Sequence, residues 1–124
     1  MARPTFPDMV GRLRYLPWCG GHEHRLHDKI EEMLTPLTTF VREGRISPRS
    51  RVDFLVDCSE GAVVVEVKVK GEVSDVQAQV KRYLARPSVV GLILVTTVAK
   101  HRNILPAEVC PGRSLAIVYL SPLK

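Results

Sequence analysis

The sequence is poor in cysteine and in long apolar runs, and each shortage excludes a class of protein. Its three cysteines, Cys19, Cys58 and Cys110, lie far apart and leave one unpaired, which favours a reducing compartment over a disulfide scaffold. No apolar run approaches the roughly 18 residues of a membrane span, and the opening residues lack the pattern of a signal peptide. We therefore expect a cytoplasmic protein with no membrane contact.

Aromatic residues are also scarce, at 6% of the chain, and no helix-turn-helix, zinc-finger or aromatic RNA-binding signature is present. What the sequence does contain is an excess of positive charge and enough apolar residues for one core. The 124 residues are 45% hydrophobic and carry 18 lysines and arginines against 13 aspartates and glutamates, a formal net charge of +5. A surplus of this sign attracts polyanions, so DNA is the expected partner.

The chain is predicted to consist of an N-terminal extended arm and one domain. Residues 1–21 are rich in proline and end in a glycine pair, which indicates an extended arm, and residues 22–124 form the domain. Apolar periodicity and chain breakers predict, in order, a helix at 22–34, strands at 37–46, 51–57 and 63–71, a helix at 75–86 with Ser74 as its N-cap, and strands at 89–97 and 114–120.

The lengths of the connections predict how these strands pair. The turn at 58–61 is short, so the two strands that it joins should be antiparallel. The helix at 75–86 should carry the chain across to a parallel neighbouring strand by a right-handed crossover. These relations predict an α/β fold with a mixed central sheet flanked by helices.

One predicted strand, VVVEVKVKG at 63–71, carries charges where burial is expected. Because strand side chains alternate, Glu66 and Lys68 should point to one side of the sheet. The opposite side should carry Val63, Val65, Val67 and Val69. Burying either charge without a partner would be costly, so the pattern predicts a partner nearby.

Asp53 lies on the preceding predicted strand, and the hairpin should bring its carboxylate close to that of Glu66, since adjacent strands are about 4.8 Å apart. Two carboxylates at that distance must share a proton or a cation, and oxygen ligands suit Mg²⁺ or Mn²⁺. Lys68 beside them could stabilise charge that builds on a phosphate, which predicts a phosphodiester-cleaving site. The alternative is a ladder of ion pairs on a solvated sheet face. The other face of Asp53's strand is predicted to carry Val52, Phe54 and Val56.

These residues resemble a known family. Asp53 followed by Glu66-Val67-Lys68 resembles the D-x(n)-(D/E)-x-K signature of the PD-(D/E)XK nuclease superfamily, and the predicted element order resembles its restriction-endonuclease-like αβββαβ core. The resemblance spans roughly residues 22 to 97.

A second motif of the same resemblance lies on the predicted helix at 75–86. Gln79 and Tyr83 resemble the Q-x-x-x-Y motif of the RecB-like branch, and a spacing of four places them on one helix face. Two features depart from the family pattern: Val52 stands where the signature has proline, and Asp57 offers a competing carboxylate on the strand of Asp53.

The resemblance implies a Mg²⁺-dependent or Mn²⁺-dependent DNA nuclease, a structure-directed endonuclease or resolvase, that hydrolyses phosphodiester bonds by metal-activated water. Cutting two strands needs two sites, so a homodimer is expected. The implied catalytic residues are Asp53, Glu66, Lys68, Glu23, Gln79 and Tyr83. The implied metal ligands are Asp53, Glu66, Val67 and Glu23.

Some alternatives remain open at this stage. For the acid on the first helix, Glu23 is the first choice by similarity to the Holliday-junction-resolvase branch, and Glu31 and Glu32 are the alternatives. In place of a DNA nuclease, the chain could be an inactive nuclease-like fold that binds DNA or a protein, or a nuclease that acts on RNA. The residues expected to contact nucleic-acid phosphates are Arg51, Lys70, Lys81, Arg82 and Arg86.

Histidines near the start of the first helix raise a separate question about zinc. Cys19 and His22 have C-x-x-H spacing, and His24 and His27 share a helix face. Because no fourth ligand is evident, we expect these histidines to be solvated, with His22 or His24 close enough to touch a phosphate.

Overall fold

The computed structural model describes residues 2–18, 20–104 and 112–121. Within these ranges the chain is mixed α/β, with three α-helices, one 3₁₀ helix, a five-stranded sheet and a separate two-stranded hairpin. The helices are α1 (Phe6–Arg14), α2 (Glu23–Leu34), α3 (Val73–Leu84) and the 3₁₀ helix (Ala99–Asn103). The strands are β1 (Phe40–Arg42), β2 (Arg45–Ser47), β3 (Ser50–Arg51), β4 (Phe54–Cys58), β5 (Gly61–Lys68), β6 (Val89–Thr96) and β7 (Ser114–Tyr119).

The main sheet has the strand order β1-β4-β5-β6-β7. Its first three strands pair antiparallel, and β5, β6 and β7 pair parallel. A tight turn joins β4 to β5, and Gly61 begins β5 with φ 137°, where an added Cβ would lie 2.8 Å from the Val90 side chain. Helix α3 forms the crossover from β5 to β6. The predicted α/β fold with a mixed sheet flanked by helices is confirmed.

Helices cover both faces of the sheet, and each face has its own apolar core. On one face, α1 and α2 bury Met9, Leu13, Leu26, Ile30 and Leu34. The strands meet them with Phe54, Val56, Val63, Val65, Val67, Ile93 and Val95. On the other face, α3 packs on the sheet through Val76, Val80, Tyr83, Leu84, Val64, Leu92 and Leu94. Among the described residues, no helix has the length and apolar character that crossing a bilayer requires.

Helix α1 replaces the extended arm that the sequence predicted for residues 1–21, and that prediction was wrong. Thr5 and Asp8 form a reciprocal capping box at its start, with hydrogen bonds of 3.1 and 3.2 Å. Pro7 lies in the first turn, where a proline has no helical hydrogen bond to lose. Met9 and Leu13 are fully buried against the sheet. The prolines therefore start a packed helix instead of preventing one.

Several element boundaries also differ from the predicted ones: β5 begins and ends earlier than the predicted 63–71, and α3 begins and ends earlier than the predicted 75–86. The single strand predicted at 37–46 is divided into β1 and β2, because Glu43 with φ 55° and Gly44 turn the chain between them. Glu72, not Ser74, is the N-cap residue of α3, so Ser74 lies inside the helix.

The strand predicted at 51–57 is interrupted at Asp53, and the interruption changes which side chains share a face. Val52 packs in the core beneath α3, whereas Phe54 and Val56 pack in the core beneath α1 and α2. The prediction that these three share one face was therefore wrong. An unbroken strand would alternate regularly, but the chain bends at Asp53 between β3 and β4.

A buried histidine connects the C-terminal ends of β5 and β6. His101 Nδ1 lies 2.7 Å from Thr96 Oγ1, and its Nε2 lies 2.9 Å from the carbonyl oxygen of Gly71. Thr96 Oγ1 also accepts the N–H of Val98. The ring of His101 therefore connects the end of β6 to the turn that links Lys68 to α3.

Cys58, on β4, is buried and unpaired, and burial raises the pKa of its thiol to about 11. Cys19 and Cys110 lie outside the described residues. The expected reducing compartment stays a prediction.

Candidate metal centre

The pairing of β4 with β5 ends at Asp53, and side chains replace the missing backbone partners there. The last paired residues are Phe54 and Val65. Beyond them, Val67 N–H donates to Asp53 Oδ2 at 2.8 Å, and Asp53 N–H donates to Glu66 Oε1 at 2.9 Å. Both carboxylates are therefore fixed at a fork between two strands.

Burial and mutual repulsion make these two carboxylates reluctant to ionise together. Glu66 is 4% exposed, and burial together with the charge of Asp53 raises its pKa to about 7. Burial also raises the pKa of Asp53, opposed by the hydrogen bond from Val67 and the nearby charge of His27. A divalent cation at this place would relieve both effects, because opposite charge favours the ionised form.

Lys68 brings a positive charge to the same fork. Its Nζ lies 4.0 Å from Glu66 Oε2, and its side chain is 25% exposed. The two residues are two apart on β5, so both side chains project from one face of the strand. The ammonium group is thus held beside a buried carboxylate while it remains reachable from solvent.

Helix α2 contributes two further groups from its first turns. His27 Nε2 lies 3.3 Å from Glu23 Oε2 and 3.7 Å from Asp53 Oδ2. One ligand atom from each of these three residues falls within 4.8 Å of the others. His27 Nε2 is buried and has no hydrogen-bond partner, although it lies between two carboxylates. A buried polar atom without a partner is rare, and a cation bound here would provide one.

The metal ligands predicted from the sequence do not all lie together in the structure. Glu23 and Asp53 lie together with His27, whereas Glu66 is hydrogen-bonded to the Asp53 backbone on the side of Lys68. Val67 contributes its N–H to the fork through the bond to Asp53. A metal ion at this site would therefore have Glu23, His27 and Asp53 as its nearest ligands.

The other carboxylates considered from the sequence lie elsewhere. Glu31 Oε1 accepts a 2.7 Å hydrogen bond from Arg42. Glu32 is exposed and lines a groove between α1 and α2. Asp57 is bonded to the hydroxyl of Thr39, three residues beyond the first pair of β4. Neither alternative acid on α2 is placed at the fork, and Asp57 does not compete with Asp53.

His27 is the residue that the sequence reading missed. Glu23 and His27 are four apart on α2, a spacing that places two side chains on one helix face, and this was the available signal. Reading His27 with His24 and Cys19 as a zinc site obscured it. His24 is exposed and lies 3.5 Å from Asp28, and Cys19 is outside the described residues.

Gln79 and Tyr83 form a connected pair on α3. Gln79 Nε2 donates to Tyr83 Oη at 3.0 Å, and Tyr83 Oη donates to the carbonyl oxygen of Arg51 at 3.2 Å. Tyr83 is 3% exposed, and burial, followed by the charge of Glu66, raises its pKa. The pair therefore holds the backbone two residues before Asp53.

Removing the Tyr83 hydroxyl should loosen this anchor. Tyr83→Phe leaves the Arg51 carbonyl without its partner, and we expect the free energy of unfolding to fall by about 1–3 kcal/mol. Urea unfolding at neutral pH measures the change. Tyr15→Phe, at a tyrosine that is 83% exposed, is the control. Equal stability of the two variants would contradict the anchoring role.

The five residues predicted to touch nucleic acid are all exposed. Arg51 is 3.3 Å from Glu43, and the Arg82 guanidinium lies 5.4 Å from the centre of the Tyr83 ring. The other three are Lys70, Lys81 and Arg86. Phosphate contacts by these side chains stay a prediction.

No protein-family model matches the chain, and the searches of curated proteins and of solved structures find no match either. Any assignment of function therefore rests on the geometry of the fork and on the sequence motif. The observations that bear on it are the placement of Asp53, Glu66 and Lys68 together, and the addition of Glu23 and His27 from α2.

Proposed function

We propose that the protein is a metal-dependent nuclease of the PD-(D/E)XK type that hydrolyses phosphodiester bonds in DNA. The observation that supports the proposal is the arrangement of Asp53, Glu66 and Lys68 at the fork. The backbone N–H of Asp53 donates a 2.9 Å hydrogen bond to Glu66 Oε1, and Lys68 Nζ lies 4.0 Å from Glu66 Oε2. The order α2, β1, β4, β5, α3 and β6 supports a restriction-endonuclease-like core, with the β2–β3 hairpin as an insertion.

The residues at the fork fit a divalent cation. Glu23, His27 and Asp53 would hold it, and the convergence of one ligand atom from each of them within 4.8 Å is the observation that indicates the fit. When bound, such an ion supplies Lewis-acid activation of water and neutralises phosphate charge. The two carboxylates suit Mg²⁺ or Mn²⁺, and the imidazole of His27 departs from the all-oxygen ligand set that Mg²⁺ prefers.

The side chains of the chain itself have separable roles in this reaction. Lys68 donates hydrogen bonds to a phosphate oxygen as negative charge builds on it, which is where a fixed donor contributes most. Glu66 holds the Lys68 ammonium in place through its Oε2. Tyr83 positions the backbone that leads into Asp53.

DNA is the proposed substrate because of charge and the absence of a base-reading device. The chain carries a net charge of +5, and the exposed Lys70, Lys81, Arg82 and Arg86 lie on or next to β5 and α3. Such side chains bind phosphates without reading sequence. We propose a structure-directed endonuclease or resolvase that acts as a homodimer, so that two sites cut two strands. Gel filtration tests the dimer.

Incubation with supercoiled plasmid tests the activity. Nicking is expected with Mg²⁺ or Mn²⁺ and should stop in EDTA, and the Asp53→Asn variant, purified identically, excludes contaminating nucleases. Linear, flapped and four-way DNA then define the substrate, and matched RNA tests the ribonuclease alternative. A folded protein that cuts none of these with either metal would overturn the proposal.

A second candidate is a catalytically silent nuclease-like fold that binds DNA or a protein. The hydrogen bonds of Asp53 favour this candidate, because they stabilise the fold and would keep an aspartate at this position even in a protein without catalytic activity. This candidate predicts binding that does not depend on metal and no cleavage of any substrate in the same assay.

A further inference from the structure

A groove lies between α1 and α2, on the face of α2 that carries Arg25, Lys29 and Glu32 and not on the face of Glu23 and His27. It consists of two adjoining cavities of about 1020 and 660 Å³. Both cavities are lined by Leu16, Pro17, Lys29 and Glu32. The candidate metal centre uses none of these residues. We name this feature the α1–α2 groove.

Two aromatic side chains line the α1–α2 groove. Tyr15, which follows the last residue of α1, is 83% exposed and lines the first cavity. Trp18 lines the second cavity, and its indole N–H is buried without a hydrogen-bond partner. The exposed ring of Tyr15 is a surface on which a planar ligand can stack, whereas the buried Trp18 nitrogen is out of a ligand's reach.

The cations of the α1–α2 groove have no ion-pair partner among the described residues. Arg3, Arg12, Arg25 and Lys29 line it, and no carboxylate of the described residues lies within 4.0 Å of their charged nitrogens. Of the acids there, Asp8 caps α1 and Asp28 pairs with Arg42. The lining thus has four cationic and three acidic side chains, and none of the four cations is ion-paired among the described residues. The groove therefore favours an anionic ligand.

We propose that the α1–α2 groove binds a segment of single-stranded nucleic acid, with a base stacked on Tyr15 and phosphates held by Arg3, Arg12, Arg25 and Lys29. A single strand fits better than a duplex because its bases are free to stack on an aromatic ring, whereas a duplex presents only its phosphates.

The link to cleavage rests on the proposed function. The groove reaches Gly20, which precedes α2, and Arg25 in the first turn of α2, and Glu23 of the same turn belongs to the candidate metal centre. The groove then selects substrates with a single-stranded arm or end, such as flaps.

Trp18 is the single tryptophan of the chain, so its fluorescence reports directly on the groove. The metal-free protein in EDTA is titrated with a fluorescence-silent thymidine oligonucleotide of about ten nucleotides. We expect saturable quenching that weakens with salt. Tyr15→Ala should lower the affinity about tenfold, and Arg12→Glu combined with Arg25→Glu should lower it further. Arg49→Glu, at an exposed arginine in the β2–β3 turn, should leave it unchanged.

Titrations with other ligands show whether the quenching of Trp18 fluorescence requires a single-stranded nucleic acid. Stronger quenching by the oligonucleotide than by a blunt duplex or by polyphosphate supports the proposal. Equal quenching by polyphosphate, or no effect of Tyr15→Ala, overturns it, as does binding of an apolar peptide in place of the oligonucleotide.

The titration involves no metal and no cleavage, so it is independent of the nicking assay. Binding without cleavage would overturn the proposed nuclease and leave the groove proposal standing. Cleavage with no quenching would overturn the groove proposal and leave the nuclease standing.

Discussion

Under the proposed nuclease function, replacing Lys68 by methionine should lower the rate of metal-dependent DNA cleavage about 1000-fold and leave DNA affinity nearly unchanged. Methionine keeps the apolar stem of the side chain and removes the ammonium that lies 4.0 Å from Glu66 Oε2. A donor that acts on charge developing in the transition state contributes about 100-fold to 1000-fold to the rate. Ground-state binding, by contrast, is spread over many phosphate contacts, so the loss should fall on turnover.

Single-turnover cleavage under saturating enzyme measures the rate, and fluorescence anisotropy with labelled DNA in EDTA measures the affinity. Lys100→Met is the matched control, because Lys100 is exposed in the 3₁₀ helix and has no ion pair among the described residues. A Lys68→Met enzyme that cuts within tenfold of the wild type would show that Lys68 has no catalytic role.

The metal-free protein should lose about 3 kcal/mol of unfolding free energy as the pH rises from about 5 to 8. The cause is Glu66, whose pKa rises from 4.5 to about 7 in the folded state through burial and the charge of Asp53. Below pH 4.5 the carboxyl of Glu66 is protonated in both the folded and the unfolded state, and its contribution to stability is fully present. Between pH 4.5 and about 7 only the folded state keeps this proton, so the stability declines as the pH rises. Above about pH 7 the contribution of Glu66 is lost.

Urea unfolding in EDTA across this pH range measures the decline, with Glu66→Gln as the control. The amide cannot ionise, so its profile should be flatter than that of the wild type and the variant should be the more stable protein at pH 8. Adding Mn²⁺ at pH 8 should raise the stability of the wild type by mass action. Parallel profiles for the two proteins would exclude Glu66 as the source.

Much of the sheet could be predicted from the sequence because alternation and connection length are local properties. The valine run fixed which residues of β5 share a face with Lys68, and the short turn fixed the pairing of β4 with β5. Those two facts sufficed to bring Asp53 close to Glu66.

The remaining features depend on contacts that local patterns do not contain. Prolines indicate a helix start as readily as an arm, and only the burial of Met9 and Leu13 distinguishes them. The bend at Asp53 arises because its side chain takes the N–H of Val67, which alternation cannot anticipate. His27 became a candidate ligand only when α2 was packed against the fork.

Under the proposed nuclease function, natural selection would act on Asp53 through folding as well as through catalysis. An apolar residue here would leave the Val67 N–H buried without an acceptor, at a cost of about 1–3 kcal/mol, in an active or an inactive descendant alike. The side chain of Lys68 satisfies no buried backbone group, since its one contact of this kind among the described residues is the ion pair with Glu66. A lineage that stopped cutting would shed the lysine early and retain the aspartate. In divergent copies of this gene, the lysine is therefore the better diagnostic of surviving activity.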